Sequence, residues 1–255
     1  MTGLLAGSRL LVTGVLTEAS LASLASAVAR LAVAEGADVL LTSPLCRAHR
    51  LTVRTAPRLG VTREVLELDV ELDEDLAALA GAVRVQGWDG VDGVLHAIAY
   101  LPEGDRSAGM AAQPWDRVAP TLRTTTWSLP ALVGALRPLL GAGSSVVALQ
   151  RDPARTHPGL DWLGIAQAAL GGAVRYLARE LGPCGVRVNA VAAGPARTLL
   201  GRAVPDAGRP DAPLGWDPSA AGEPVAQAAC MLLSDWFPAT TGAVLHVDGG
   251  AHALG

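Results

Sequence analysis

One common group that can move a proton is missing from this chain, and another is rare. All twenty of its basic residues are arginines, so no lysine amine exists, and only Tyr100 and Tyr176 carry a phenol. Among the histidines, His157 lies just before a long helical pattern, where an imidazole could donate a proton near neutral pH, although in a polar loop before a proline it reads as exposed. Asp161 opens that pattern, and Arg151, beside Asp152, could hold an anion or pair with that carboxylate. His96 ends an apolar run and reads as structural, and Tyr176 reads as a packing residue. Cys46, Cys184 and Cys230 are far apart, match no metal spacing and read as buried thiols. No nucleophile elbow, metal cluster or paired-carboxylate pattern competes with these groups.

A different chemistry is written into Gly14–Ala22 (GVLTEASLA), between a strand-like and a helical segment. A glycine lets the chain turn sharply, small residues let backbone N–H groups approach a pyrophosphate, and a helix N-terminus then faces that negative charge. The spacing is not G-x-G-x-x-G, so the generic dinucleotide fingerprint is absent. Taken alone, the turn reads equally well as a plain strand–helix connection.

Short apolar runs that alternate with longer amphipathic stretches must position these groups. Strands are expected at Arg9–Gly14, Asp38–Thr42, Glu64–Leu68, Gly93–Ile98, Ser145–Leu149, Arg187–Ala192 and Val244–Val247. Helices are expected at Ser20–Glu35, Asp73–Gln86, Pro114–Leu140 (bent or divided by Pro120 and Pro130), Leu160–Leu181 and Pro224–Leu233. The alternation predicts an α/β fold with one doubly wound parallel sheet and a single domain over residues 1–255. Half of the 255 residues are apolar and the net charge is −4 with scattered arginines, which argues against a nucleic-acid surface. No apolar run is long enough to span a bilayer, and the N-terminus shows no export signal, so the expected location is cytoplasmic. The region Gly194–Gly222, rich in Pro, Gly and Ala, reads as a functional loop.

Five motifs in order make a resemblance specific: MTGLLAGSRLLVTGVLTEASLA at the start, LELDV (Leu66–Val70), HAIAYLP (His96–Pro102), NAVAAGPARTL (Asn189–Leu199) and LLSDWFPATTGAVLHVDGGAH (Leu232–His252). Over essentially its whole length the chain resembles the NADH-dependent enoyl-acyl-carrier-protein reductases of the mycobacterial type, within the short-chain dehydrogenase/reductase superfamily. The resemblance implies a Rossmann-like fold and a nucleotide held by Gly14, Ser20, Leu21 and Ala22, with Asp69 and Val70 at the adenine. Ala97, Ile98 and Ala99 would line it, while Gly194, Pro195, Ala196 and Thr198 would serve the nicotinamide and pyrophosphate. NAD is the implied cofactor, NADH favoured over NADPH, although Pro44 replaces the aromatic expected against the adenine and Arg47 or Arg50 could reach a 2′-phosphate.

The same resemblance implies a Tyr and, seven residues later, a Lys at the start of the long helix. In RDPARTHPGLDWLGIAQAALGG those positions hold Leu160 and Gln167. Leucine donates no hydrogen bond; Gln167 could still bond a ribose hydroxyl but brings no charge. Arg151 replaces an aromatic beside the nicotinamide, Leu163 replaces a methionine, and Tyr100 would line the substrate channel. The catalytic group is therefore unassigned, with His157, Asp161 and Tyr100 the remaining candidates. The short, proline-rich RAVPDAGRPDAP (Arg202–Pro213) stands where a longer lid would cover a fatty acyl chain. The leading expectation is an atypical NAD(H)-binding enoyl-reductase-like oxidoreductase acting on a small non-fatty-acyl substrate, assembled as a homotetramer without nucleic-acid, membrane or metal partners. A non-redox catalyst of cyclisation or dehydration, or a non-catalytic binding subunit, remains the alternative.

Overall fold

The apolar runs of this chain are too short for helices, and they become strands buried on both faces. The computed structural model describes residues 3–15, 23–44, 47–102, 109–196 and 212–254. Its seven strands are β1 (Arg9–Val12), β2 (Asp38–Ser43), β3 (Leu66–Glu67), β4 (Gly93–His96), β5 (Ser145–Gln150), β6 (Arg187–Ala193) and β7 (Val244–Val247). All pair in parallel in the order β3-β2-β1-β4-β5-β6-β7. Side chains alternate between faces with period two. Leu11, Leu40, Val94, Val146 and Val188 therefore fill one side, and Leu10, Val12, Val39, Leu41, Leu95 and Val147 the other.

Helices cover both faces, as a wholly parallel sheet requires. On the first side lie α3 (Asp73–Val85), α5 (Ser128–Leu136) and α6 (Trp162–Leu181), and on the second α1 (Leu24–Ala34) and α7 (Gly222–Leu233). Within the described residues α1 begins at Leu24, capped by Ser23, whose Oγ accepts the Ser26 N–H at 3.1 Å. An Arg-rich helix α2 (Arg47–Thr55) follows β2 and was not expected as an element of its own; its Thr52 hydroxyl donates to the Val15 carbonyl at 2.6 Å. The long pattern from Pro114 divides into α4 (Trp115–Leu122), a π-helical turn (Arg123–Trp127) and α5. Pro120 cannot donate within α4, which weakens the ladder just before the widened turn. β3 is shorter than expected, since at the sheet edge only Leu66 and Glu67 find partners, in Thr42 and Ser43.

Two side chains depart from expectation. Tyr176 is 76 % exposed rather than packed, because it lies on the face of α6 turned away from the buried Leu170, Val174 and Leu177. Cys184 is also exposed and accepts a hydrogen bond from Arg137 at 2.8 Å, whereas Cys230 is buried and burial pushes its thiol up to about 12. Cys46 lies outside the described residues. His96 is fully buried, as expected of a structural residue, with Nε2 and the Ser128 hydroxyl 2.7 Å apart.

The strand order has one consequence for binding. From β1 the chain winds towards β3, and from β4 it winds the other way, towards β7. Crossover connections therefore diverge beyond the C-terminal ends of β1 and β4 and leave a crevice there, the place where open α/β sheets bind ligands.

Candidate functional site

That crevice is built from residues almost without side chains. Gly14 follows β1 with φ +75°, and a Cβ there would lie 2.0 Å from the Ala97 carbonyl oxygen. Only glycine satisfies both demands, a left-handed backbone and contact with the segment after β4. Thr13, which the sequence reading did not single out, fastens the two strand ends: its hydroxyl donates to the Leu95 carbonyl at 3.0 Å and accepts the Ala97 N–H at 3.1 Å. Ala97 and Ile98 are half-buried and Ala99 is exposed beside this junction. Beyond β3, Val70 is buried, and Asp69 accepts the Glu71 N–H while its own N–H donates to Asp75. Beyond β6, the Gly194 N–H donates to Val247 at 2.8 Å, and a Cβ on Gly194 would meet the Trp216 ring at 2.7 Å. Trp216 in turn donates to the Pro195 carbonyl at 2.6 Å, with Ala196 half-buried next to it. Ser20, Leu21, Ala22, Thr198 and most of the Arg202–Pro213 segment lie outside the described residues, as does the side chain of Arg47; Arg50 is exposed on α2.

The second part of the site lies where β5 meets α6. The helix starts at Trp162, two residues later than expected, because Asp161 takes φ +45° and so stands outside it. Leu160 is buried in the turn before the helix, its N–H donating to His157 and its carbonyl accepting the Leu163 N–H at 2.8 Å. Leu160, Asp161 and Leu163 line one small cleft together with Leu101, Arg117 and Thr121, with room for little more than one water, about 10 Å³. The Thr121 hydroxyl is fully buried there, without a hydrogen-bond partner among the described residues. Gln167 is buried too, and its Oε1 accepts the Arg151 main-chain N–H at 2.7 Å.

Charge surrounds this junction. Arg151 is half-buried; burial lowers its pKa and Asp248 opposes that shift. Burial opposes ionisation of Asp248, but hydrogen bonds from the His252 side chain and from the His252 and Gly250 main chains outweigh it, leaving the carboxyl below its usual range. His246 lies 3.4 Å from Asp152 and stacks on His252 with ring centroids 4.1 Å apart, a pairing the sequence did not disclose. His157, expected to be exposed, is half-buried with Nε2 3.0 Å from the Asp152 carbonyl. Its pKa is lowered, mostly by burial, with Arg151 and Arg155 adding to the effect. Tyr100, 42 % exposed, does not line the Leu160 cavity but the neighbouring groove formed with Leu101, Pro102, Asp116, Arg117 and Pro120. Among the described residues no group of three His, Cys, Asp or Glu side chains is placed to hold a metal, and none of their helices is long and apolar enough to cross a membrane.

A seven-stranded doubly wound parallel sheet with a glycine turn at its switch point defines the class: a Rossmann-like fold of the short-chain dehydrogenase/reductase type. The family model described as enoyl-(acyl carrier protein) reductase matches residues 18–252. The NADH enoyl-acyl-carrier-protein reductase of Mycolicibacterium smegmatis is 38% identical, with 98% of each chain covered, and that of Mycobacterium avium is likewise 38% identical over 98% of each. The corresponding enzyme of Aquifex aeolicus is 33% identical over 99% of this chain and 94% of its own. The chain belongs to the enoyl-acyl-carrier-protein reductase family.

Proposed function

We propose that this protein binds NAD(H), with NADH preferred, and reduces an activated double bond of a small substrate that is not a fatty acyl chain, without the Tyr and Lys of its relatives. The observation that carries the cofactor reading is the bare junction of Gly14 and Ala97, where a single added Cβ would collide with backbone. The sharp turn this packing fixes brings main-chain groups to the crevice, where a pyrophosphate would lie, and Ala97–Ala99 and Gly194–Ala196 at the ends of β4 and β6 would continue the site. The names of the relatives, all NADH reductases, support the same cofactor and its preference. Asp69 and Val70 would then face the adenine, and the segments 20–22 and Thr198 would complete the phosphate contacts. Bound NADH supplies the hydride.

The chain's own residues set the limits of the reaction. Leu160 occupies the place of the phenol and offers no proton, which removes a contribution of about 10²–10⁴-fold in rate. Gln167 occupies the place of the amine, and its oxygen is engaged by Arg151. Its Nε2 remains the donor towards a ribose hydroxyl. The proton that completes the reduction comes from water or the substrate, with His157, Asp161 and Tyr100 the nearest side-chain candidates. We further assign the chain to one domain over residues 1–255 and a cytoplasmic homotetramer, on the pattern of its relatives; the exposed Ile165 and Tyr176 of α6 suit a helix-to-helix interface. A monomeric mass in solution would refute that assembly.

The aliphatic Leu160 favours one second reading, a non-redox catalyst or binding subunit that kept the crevice and lost the hydride chemistry. Titration of NADH fluorescence, followed by NADH absorbance with a panel of small conjugated substrates, separates the two. Saturable binding with consumption supports the reductase; binding without consumption by any substrate supports the second reading.

A further inference from the structure

We propose that Arg151 is an anchor for a carboxylate, so that the substrate of this pocket is a small carboxylic acid; this rests on the reading of the β5–α6 junction as the substrate site. β5 is buried through to Gln150, and the next residue is Arg151, at the C-terminal rim of the sheet. Its backbone is pinned by the bond from its N–H to Gln167, which fixes where the side chain leaves the strand. Leu163 lies one helical turn before Gln167 on the same face of α6 and is fully buried, with Leu160 just ahead of it. The guanidinium leaves the strand end at this junction and stays protonated at any ordinary pH.

The anions nearby are already engaged. Asp152 accepts the Ala154 N–H at 2.9 Å and lies against His246, and Asp248 takes the Gly250 N–H, the His252 N–H and the His252 ring. Asp248 acts on Arg151 through space, yet among the described residues no hydrogen bond or ion pair engages the guanidinium itself. A half-buried cation of this kind is stabilised by an incoming anion far more than by an alkyl chain. The planar fork of arginine matches the two oxygens of a carboxylate in particular. An uncharged acyl chain bound at the same junction would instead leave the charge unpaired.

The test compares (E)-but-2-enoate with the uncharged (E)-but-2-enamide by calorimetry on the full-length protein, with and without saturating NADH. The acid is expected to bind at least tenfold more tightly than the amide, Arg151→Phe to abolish that preference, and Arg151→Lys to keep part of it. Equal binding of the two, no binding of the acid, or a preference that survives Arg151→Phe overturns it. NADH affinity, measured separately, reports on the cofactor reading: NADH that binds while acid preference is absent sinks this inference alone. A lack of NADH binding sinks the cofactor reading, and the acid preference without NADH still decides the role of Arg151. If Arg151→Phe fails to fold by circular dichroism, Arg151→Gln, which keeps the length and removes the charge, decides the same point.

Discussion

The Oε1 of Gln167 accepts the main-chain N–H of Arg151 at 2.7 Å, tying the second turn of α6 to the end of β5. A lysine in this position could not accept that hydrogen, so the glutamine has a structural task that a lysine would not share. Gln167→Leu should leave a buried N–H unpaired and lower stability by about 1–3 kcal/mol. Urea unfolding checks this; an unchanged midpoint would show that the bond is dispensable.

The combined change Leu160→Tyr and Gln167→Lys should give or raise reduction of a crotonyl thioester, by about 10²–10⁴-fold over the unmodified chain where both turn over. Gln167→Lys alone should give little, since it adds charge without a proton donor and removes the acceptor for Arg151. NADH absorbance in the three proteins measures the outcome. No gain in the double variant would mean that the pocket has changed shape as well as chemistry.

Gly14→Ala should weaken NADH binding by at least tenfold. The left-handed backbone costs roughly 1–2 kcal/mol for a residue with a side chain, and the contact 2.0 Å from the Ala97 oxygen would force the two strand ends apart. Fluorescence titration and thermal melting together report the two effects.

Acid should destabilise the fold through His96. Burial holds its pKa at about 4 against 6.5 in the unfolded chain. Below 6.5 the unfolded state binds the proton and the folded state does not, so stability present above pH 6.5 is lost as pH falls towards 4. The full effect is about 3 kcal/mol. His96→Gln should flatten the dependence of unfolding free energy on pH across that window; an unchanged slope would assign acid sensitivity elsewhere.

The strands were readable because runs such as Leu10–Val12 and Val146–Leu149 are buried on both faces and carry apolar residues without interruption. Gly14 was readable as a turn, but its contact with Ala97 joins residues 83 positions apart and has no local signal. Boundaries failed where side chains, not hydropathy, decide them: Ser23 caps α1, and the strained Asp161 delays α6 to Trp162. His157 looked exposed because its neighbours are polar, yet the fold half-buries it, with Nε2 against the Asp152 carbonyl. The polar cluster of Asp152, Asp248, His246 and His252 was invisible for the same reason, since β5 and β7 meet only through β6. Leu160 and Gln167 could be singled out only by resemblance, since a leucine and a glutamine on a helix carry no chemical pattern of their own.

On the proposed reading this chain keeps a nucleotide crevice but lacks a phenol and an amine beside it. Single-turnover stopped-flow of the unmodified protein with NADH and a crotonyl thioester tests this most directly. A saturable fluorescence change on NADH binding, with no NADH consumed over many seconds, is the predicted result. Rapid oxidation of NADH in the first turnover would contradict it.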